Sequence, residues 1–344
     1  MKATKSVSIR SILLGESVTF LSQENMNCLI TQDGLVELIS QLVYYKEEGK
    51  SLYPEIYIFD EIELIKKVLP LSQFCTIGEG GKTKETMLTA LKKCAPLTEG
   101  GWAIYILRKV TTFQYGVFKA GSTILSVSIS QTLIDAGTDE LKAILIHQVA
   151  DRLIEVKGVT ADSLIISFGS HDGSAKSPIK IQDKFIDAIL KNVNEDIKEQ
   201  ARNFYQKIFL EVLQKGHGTL ACVINSNKKE LPKKLSDGII LPKTINVVKT
   251  ISDLLEKNDL QANSVLEGQF SLISGMMQSD GITVFKNNGS VVAYNVFVKH
   301  PAKVMKTATS GGARSRTFIT LTDLIGSGIE SAYLQSQDGN IEVN

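Results

Sequence analysis

Two glycines and an alanine stand before two arginines, which one serine separates, in the segment SGGARSRTF, residues 310–318. Glycine lets backbone N–H groups come close to an anion, and the guanidinium groups of Arg314 and Arg316 can clamp phosphate oxygens. Glycine-rich basic turns without a ligand are also common. The segment therefore predicts a phosphate-binding loop, with a solvated turn as the alternative.

An Asp-Gly pair opens a strand-like run about 30 residues earlier, in SDGITVF at 279–285. A carboxylate at the head of a strand can hold a divalent cation and polarise a hydroxyl group. Arginines that stabilise charge on a phosphate would complete the set of groups that nucleotidyl transfer needs. An Asp-Gly turn alone is usually structural, so the order and spacing of Asp280 and the two arginines carry this prediction.

A third segment, TIGEGGKT at 76–83, resembles a P-loop without matching it. The pattern G-x-x-x-x-G-K-[ST] is satisfied at Gly81, Lys82 and Thr83, but Thr76 stands at the leading position. No acidic strand end follows that could hold magnesium. A glycine turn before a helix, with Lys82 in solvent, is the favoured interpretation.

A fourth segment, IHQVAD at 146–151, lies in a run that we predict to be an amphipathic helix. His147 and Asp151 would then share one face at i, i+4. The glutamate and second histidine of a zinc-protease helix are missing. We therefore expect a His–Asp pair on a helix surface rather than a metal site.

Composition excludes several classes of protein. The chain has 344 residues, a net charge of +1, and four histidines and four cysteines that are scattered along it. This charge gives no indication of a nucleic-acid or membrane partner, and the cysteine spacing fits neither a zinc site nor a disulfide framework. No run approaches the roughly 20 apolar residues of a membrane span. We expect a cytoplasmic protein.

The order of predicted elements indicates an α/β fold with two domains. We expect an N-terminal segment at 1–25, an α/β domain at 26–170, a linker at 171–183, and a second domain at 184–344 that combines a mixed sheet with helices. The sequence leaves the role of the domain at 26–170 open, with regulation as one alternative. The first domain is predicted to have helices at 34–49, 61–70, 85–94 and 139–156 and strands at 55–60, 101–110, 114–118 and 162–170. The second is predicted to have helical stretches at 183–216, 244–257 and 264–277, strands at 218–226 and 330–343, and a hairpin at 280–298.

The second domain resembles the diadenylate cyclase family, which joins two ATP molecules into cyclic di-AMP. That family has an Asp-Gly-Ala motif at a strand start and a later Gly-Thr-Arg-His-Arg motif. Here Asp280-Gly281-Ile282 stands at the first position, and residues 312–317 (GARSRT) stand at the second. The segments GHGTLACVINS, LPKKLSDGIIL, SVVAYNVFV and ESAYLQSQDGNIEV are similar to the surrounding family elements, so the resemblance covers about residues 185–342.

The resemblance implies a head-to-head homodimer, or a higher homo-oligomer, in which each protomer holds one ATP and pyrophosphate is released. It implies catalytic functions for Asp280, Arg314 and Arg316, with Asp280 also binding Mg²⁺ or Mn²⁺. The remaining nucleotide-binding residues that it implies are Gly281, Ile282, Gly311, Gly312, Ala313, Ser315 and Thr317.

Three departures from the family pattern leave the activity open. Ser315 replaces the central histidine, Ile282 replaces the alanine, and GMMQS at 275–279 replaces the usual Pro-Leu-His lead-in. The chain is also similar to divergent members of the family that are thought to act as nucleotide sensors, some of which have an extra N-terminal α/β domain. The alternatives are therefore a cyclase, a sensor of ATP or a cyclic dinucleotide, and a partner-binding protein with a vestigial domain.

Overall fold

The chain forms two compact α/β units. A computed structural model describes residues 8–121, 123–137, 140–160, 163–169, 178–216, 218–257, 260–298, 312–337 and 339–344. The N-terminal unit comprises Met1–Ser122 and Val127–Gly173, and the C-terminal unit comprises Thr123–Ser126 and Ser174–Asn344. No helix in the described ranges is long and apolar enough to cross a bilayer.

The N-terminal unit is built around one seven-stranded sheet. Its elements in chain order are α1 (Ile9–Gln23), α2 (Leu29–Leu42), β1 (Lys46–Glu47), β2 (Lys50–Ser51), β3 (Ile56–Phe59), α3 (Ile62–Val68), β4 (Gln73–Gly81), α4 (Lys84–Cys94), β5 (Ala103–Arg108), β6 (Thr112–Lys119), α5 (Ile129–Asp135), β7 (Ala143–Ala150), β8 (Leu153–Gly158) and β9 (Leu164–Ser167). The strand order is β4-β6-β5-β3-β7-β8-β9, in which only the β3–β5 pairing is parallel.

The central strands of this sheet are buried on both faces, whereas the edge strand β4 is largely exposed. Ile56 and Ile58 face a core that α1, α2 and α4 complete, whereas Tyr57 and Phe59 face a second core with α3 and α5. Side chains alternate between the faces of a strand, so a sheet covered on both sides needs apolar residues at every position. The strands predicted at 55–60, 101–110, 114–118 and 162–170 are confirmed, as are the helices at 61–70 and 85–94.

The helix predicted at 139–156 is wrong, because this segment forms the antiparallel hairpin of β7 and β8. All eight residues of β7 are buried. A strand buried on both faces loses the period-two pattern and reads as a continuous apolar run, which also satisfies helical spacing. His147 therefore lies on a strand, and Asp151 lies in the turn that follows it rather than one helical turn away.

The glycine-rich segment at 76–83 is a strand rather than a turn. Its residues as far as Gly81 belong to β4, which pairs with β6 at the edge of the sheet. α4 then begins at Lys84, and the Thr83 side chain accepts a hydrogen bond from the Thr86 backbone N–H. The extended backbone leaves no loop to wrap a phosphate, so Gly81 and Lys82 do not form a P-loop.

The boundary between the units, at Gly173 and Ser174, falls within the range predicted as a linker, 171–183. Of residues 171–183, those up to 177 lie outside the described residues, and Pro178 begins helix α6 (Pro178–Ile189). The helical stretch predicted at 183–216 is two helices, because Asn194 caps α7 (Glu195–Gln214) through the Asp196 backbone N–H. Asparagine competes with the helical backbone for hydrogen bonds and so favours such a break.

The C-terminal unit has its own seven-stranded sheet. After α6 and α7 come β10 (Thr219–Ile224), β11 (Leu235–Ser236), β12 (Ile239–Asn246), α8 (Val247–Lys257), α9 (Leu260–Gln278), β13 (Ile282–Lys286), β14 (Ser290–Val298), α10 (Ala313–Thr322), β15 (Ser331–Gln335) and β16 (Ile341–Val343). The strand order is β11-β14-β13-β10-β15-β16, and β12 also pairs with β14. The hairpin at 280–298, the strands at 218–226 and 330–343, and the helices at 244–257 and 264–277 are confirmed.

The parallel pairing of β10 and β13 forms the centre of this sheet, with Leu220 beside Ile282 and Ile224 beside Lys286. Helices α6 to α9 cover one face, and α10 covers the other with Phe318 and Leu321. Strand β12 follows β14 irregularly, because its register shifts between Ile240 and Ile245. The amino ends of β10 and β13 therefore lie together along one edge of the sheet, and their carboxyl ends lie together along the opposite edge.

A buried hydrogen bond between His147 and Glu155 joins β7 to β8 in the N-terminal unit. The Nε2 atom of His147 lies 2.9 Å from Oε2 of Glu155, and both side chains are 6% exposed. Burial opposes ionisation of the Glu155 carboxyl, but the hydrogen bond and charge of His147, together with the Ser163 hydroxyl, outweigh it. The pKa of Glu155 therefore lies below its usual value of 4.5. The pair stabilises the hairpin only while Glu155 is ionised.

We expect Glu155→Gln to lower the free energy of unfolding at pH 7 by about 1–3 kcal/mol, because a buried charge-assisted hydrogen bond is lost. The contribution of the carboxylate is complete above pH 4.5 and is lost as the pH falls through the lower pKa of the folded state. Urea unfolding of the full chain measures the free energy of unfolding at pH 7 and at more acidic pH. The difference between the parent chain and Glu155→Gln should become smaller in acid. The exposed Glu16→Gln is the control and should match the parent chain at both pH values. A gap that is constant or wider in acid would contradict the role given to Glu155.

Candidate functional site

A tight turn at the end of α9 carries Asp280. The Met276 carbonyl accepts hydrogen bonds from the Ser279 hydroxyl at 2.7 Å and the Thr283 hydroxyl at 3.1 Å. The Met277 carbonyl accepts one from the Thr219 hydroxyl at 3.0 Å. The last carbonyls of a helix lack partners within the helix, so these hydroxyls satisfy them. They also tie the turn to the first residues of β10 and β13.

Gly281 fixes the direction in which Asp280 projects. Its φ is +85°, and a Cβ at this position would lie 2.8 Å from the carbonyl carbon of Asn295. Strand β14 is irregular here, with a shift of register opposite Ile282–Val284 and a φ of +51° at Asn295. Any other residue at 281 would adopt an unfavourable backbone conformation and collide with the neighbouring strand.

The two arginines lie in a helix and not in the loop that the sequence predicted. α10 begins at Ala313, directly after Gly312, so Arg314 and Arg316 occupy its first turn. Gly311 lies outside the described residues. Gly312 is exposed and no side chain caps the helix start in the described part of the chain. The first N–H groups of a helix have no partner within it and carry its positive dipole end, which favours an anion.

The structure brings the two predicted motifs together. Nη2 of Arg314 lies 3.4 Å from Oδ1 of Asp280, although 34 residues separate them in sequence. The Arg314 side chain crosses over Gly218, where a Cβ would lie 2.9 Å from its Cδ atom. Leu220 of β10 pairs with Ile282 of β13, so Gly218, two residues earlier, lies beside Asp280. The start of α10 and the amino ends of both parallel strands therefore form one surface.

The Asp280–Arg314 pair is accessible to solvent. The Asp280 side chain is 87% exposed and that of Arg314 is 37% exposed. Exposed ion pairs contribute little to stability, because water and salt screen them. The arrangement therefore leaves both charged groups available to a ligand.

The other predicted residues take different positions. Arg316 is half-buried and its side chain has no hydrogen bond or ion pair among the described residues. Ser315 and Thr317 are half-buried on α10, and the Thr317 hydroxyl donates to the Ala313 carbonyl at 3.0 Å. Ile282 is fully buried in the core beneath α10. Its side chain therefore packs against the protein, and the backbone of 280–282 is the part of the motif at the surface.

A metal at this site would depend on a ligand. No three His, Cys, Asp or Glu residues in the described ranges lie close enough to hold an ion. Asp280 supplies a carboxylate, and Mg²⁺ commonly binds one or two carboxylates together with substrate phosphates and water. Asp280 supplies one carboxylate, so a cation here would need its other oxygen ligands from a bound molecule and from water.

A second Asp-Gly-Ile sequence, at 237–239, precedes β12. Asp237 has a φ of +54° and accepts a hydrogen bond from the Ser236 hydroxyl at 3.3 Å. Within the described residues it makes no hydrogen bond or ion pair with either arginine of α10. The tripeptide alone does not mark a site, and what distinguishes Asp280 is its position beside Arg314.

No family model, curated protein or solved structure matches the chain. The resemblance to diadenylate cyclases therefore rests on the sequence motifs alone.

Sequence reasoning missed the residues that support the site. Gly218, Thr219, Thr283 and Asn295 position Arg314 or the Asp280 turn without any recognisable chemical motif. One signal was present, since a glycine directly before a strand often marks a close approach of another group. The segment GHGT at 216–219 contains such a glycine at 218.

We expect Gly281→Ala to lower the free energy of unfolding of the C-terminal unit by at least about 1–3 kcal/mol. The unfavourable φ and the collision with Asn295 both raise the free energy of the folded variant. Thermal unfolding of the full chain would measure this. Gly268→Ala is the matched control, since Gly268 lies in α9 with no atom within 4 Å of an added Cβ, and it should be neutral or stabilising. Equal midpoints for the two variants would show that the turn is not constrained by β14.

Proposed function

We propose that the C-terminal unit binds ATP and condenses two ATP molecules into cyclic di-AMP with release of two pyrophosphates. The observation that carries the proposal is the Asp280 carboxylate beside Arg314 at the start of α10, which no side chain of the described residues caps. Nucleotidyl transfer needs a carboxylate at the attacking hydroxyl and cationic donors at the phosphate that is attacked. The resemblance in sequence names the same residues for the same functions.

The arginines and Asp280 would have different functions in the reaction. Arg314, Arg316 and the first N–H groups of α10 would hold the phosphates and stabilise charge on them during transfer. Asp280 would position the attacking 3′-hydroxyl through hydrogen bonding and help to bind Mg²⁺ or Mn²⁺. The cation, when bound, would supply positive charge to the phosphates.

The reaction would require two copies of the chain. Each 3′-oxygen must reach the α-phosphate of the other ATP, so two sites have to face one another. The exposure of Asp280 leaves room for a second protomer. A homodimer or higher homo-oligomer is therefore part of the proposal.

A nucleotide sensor is the second candidate. Ser315 stands where the family has histidine, so an imidazole donor is missing from the first turn of α10. Loss of one donor to a transition state costs about 10²–10³ in rate, whereas binding can persist. A sensor would bind ATP or a cyclic dinucleotide at the same surface and respond without forming product.

The test is incubation of the purified chain with ATP and Mn²⁺, with Mg²⁺ in parallel, and detection of cyclic di-AMP and pyrophosphate by chromatography and mass. We expect product from the parent chain. We expect Asp280→Asn to lower turnover by at least about 10²-fold, because the group that orients the nucleophile is lost. The thermal shift caused by ATP should largely persist in that variant.

The control is Asp323→Asn, which removes the same charge from an exposed residue just after the other end of α10. It should turn over like the parent chain. A thermal shift with ATP but no product would select the sensor. Turnover that survives in Asp280→Asn would refute the assignment of Asp280, and the absence of both product and thermal shift would refute nucleotide binding.

A further inference from the structure

The carboxyl ends of β10 and β13 carry a second surface, on the opposite edge of the sheet from Asp280. β10 runs from Thr219 to Ile224, so at 3.2–3.4 Å per residue the two edges are about 16 Å apart. In open α/β sheets, ligands characteristically bind beyond the carboxyl ends of parallel strands. The Asp280 site lies at the amino ends, which leaves this position unused by the proposed function.

The loop that follows β10 is held in a fixed shape. Asn287 is fully buried and accepts a hydrogen bond from the Ser226 backbone N–H at 2.9 Å. The side chains of Asn287 and Asn225 both donate to Oε1 of Glu330, each at 2.9 Å. The Lys228 backbone N–H closes the turn on the Asn225 carbonyl at 3.1 Å. This network sets the direction in which the following lysines leave the loop.

The ionised carboxylate of Glu330 accepts hydrogen bonds on both of its oxygens. Burial opposes its ionisation, but hydrogen bonds from Asn287, Lys191 and Asn225 outweigh it and hold the pKa of Glu330 below its usual value. Its carboxylate oxygens are occupied by these three donors. The charge of Glu330 therefore serves the loop rather than neutralising the lysines beyond it.

A groove with a volume of about 200 Å³ opens beside this loop. Apolar side chains from three strands form much of its wall, namely Ile224, Val292 and Ile240. Lys228, Lys229 and Lys286 also line it, together with one acidic residue, Glu230. The groove thus combines an apolar wall with an excess of positive charge.

The lysines at this edge have few partners. Residues 228–234 contain four lysines and one glutamate, in a chain whose net charge is +1. Within the described residues, Lys228 and Lys229 make no side-chain hydrogen bond or ion pair. The ammonium of Lys286 donates to the Ser226 carbonyl at 3.3 Å, which anchors it at the groove. Unpaired ammonium groups beside apolar surface favour a ligand that offers both an anion and an apolar body.

We propose that this groove is a binding site for a small organic anion, with the apolar body of the ligand against Ile240, which is 64% exposed, and its acidic group between Lys228, Lys229 and Lys286. The site is separate from the surface around Asp280. Lysines also discourage edge-to-edge pairing of strands such as β12. That function alone needs no cavity, so a binding measurement separates the two explanations.

The test uses two dyes on the full chain. 8-Anilinonaphthalene-1-sulfonate has an apolar body and a sulfonate, whereas N-phenyl-1-naphthylamine has the same body without the charge. We expect the sulfonate dye to bind at least about tenfold more tightly, because the lysines engage only the anion. Equal affinity for the two dyes would overturn the proposed preference for an anion.

Two double variants locate the binding. Lys228→Gln with Lys229→Gln should raise the Kd of the sulfonate dye by at least about tenfold. Lys233→Gln with Lys234→Gln removes the same charge from the same loop outside the groove and should have little effect. Equal weakening in both variants would show attraction to general surface charge and would overturn the proposal. No weakening in either variant would place the dye elsewhere and overturn it too.

The folding of each variant is checked by its thermal unfolding midpoint, which should match that of the parent chain because all four lysines are exposed. Arg314→Gln removes a cation from the surface around Asp280 and should bind the sulfonate dye like the parent chain, because the groove lies at the other end of the parallel strands. Loss of dye binding in that variant would mean that the dye occupies the proposed nucleotide site and would overturn the groove proposal. Absence of ATP turnover would therefore contradict only the proposed function, and absence of anion binding would contradict only the groove proposal.

Discussion

The parallel pairing of β10 with β13 determines what lies at each edge of the C-terminal sheet. Leu220 pairs with Ile282 and Ile224 with Lys286, so both strands enter at one edge and leave at the other. Gly218 and Asp280 therefore share the entry edge, and Lys286 lies with the loop after Ile224 at the exit edge. A slip of one residue would reverse the faces of every side chain on one strand. The burial of Ile282 and Val284 beneath α10 resists such a slip.

Local electrostatics carry the functional proposals, since the chain as a whole is nearly neutral. Asp280 and Arg314 partly cancel one another in the absence of a ligand. Their mutual attraction is weak because both are open to solvent. In the proposed complex, a triphosphate would bring several negative charges and would also contact the start of α10, so it would compete favourably with the single carboxylate for Arg314.

Elements with one apolar face or a clear stop signal were predictable from sequence. α3 ends before Pro70, and the β13–β14 hairpin turns at the Asn-Gly pair of 288–289. The hairpin of β7 and β8 was missed because two helical layers bury both of its faces. α10 was missed because ARSRTFITLT is rich in Ser, Thr and other residues of low helix propensity, so packing of Phe318 and Leu321 decides its conformation. The two motifs of the site were predictable from sequence. Their contact was not, because it depends on the register of β10 and β13 and on the passage of Arg314 over Gly218, which involve residues far apart in the chain.

The irregular edge strand β12 limits how two copies of the C-terminal unit can associate. Pro242 lacks an N–H group, and the register shift between Ile240 and Ile245 interrupts the free edge. Strand-to-strand addition requires an uninterrupted row of donors and acceptors, so β12 does not offer a template for extending the sheet into a second protomer. Assembly of the proposed dimer would accordingly bury side-chain surfaces around α10 and the Asp280 turn. Its affinity would then depend on shape and charge at that surface rather than on shared backbone hydrogen bonds.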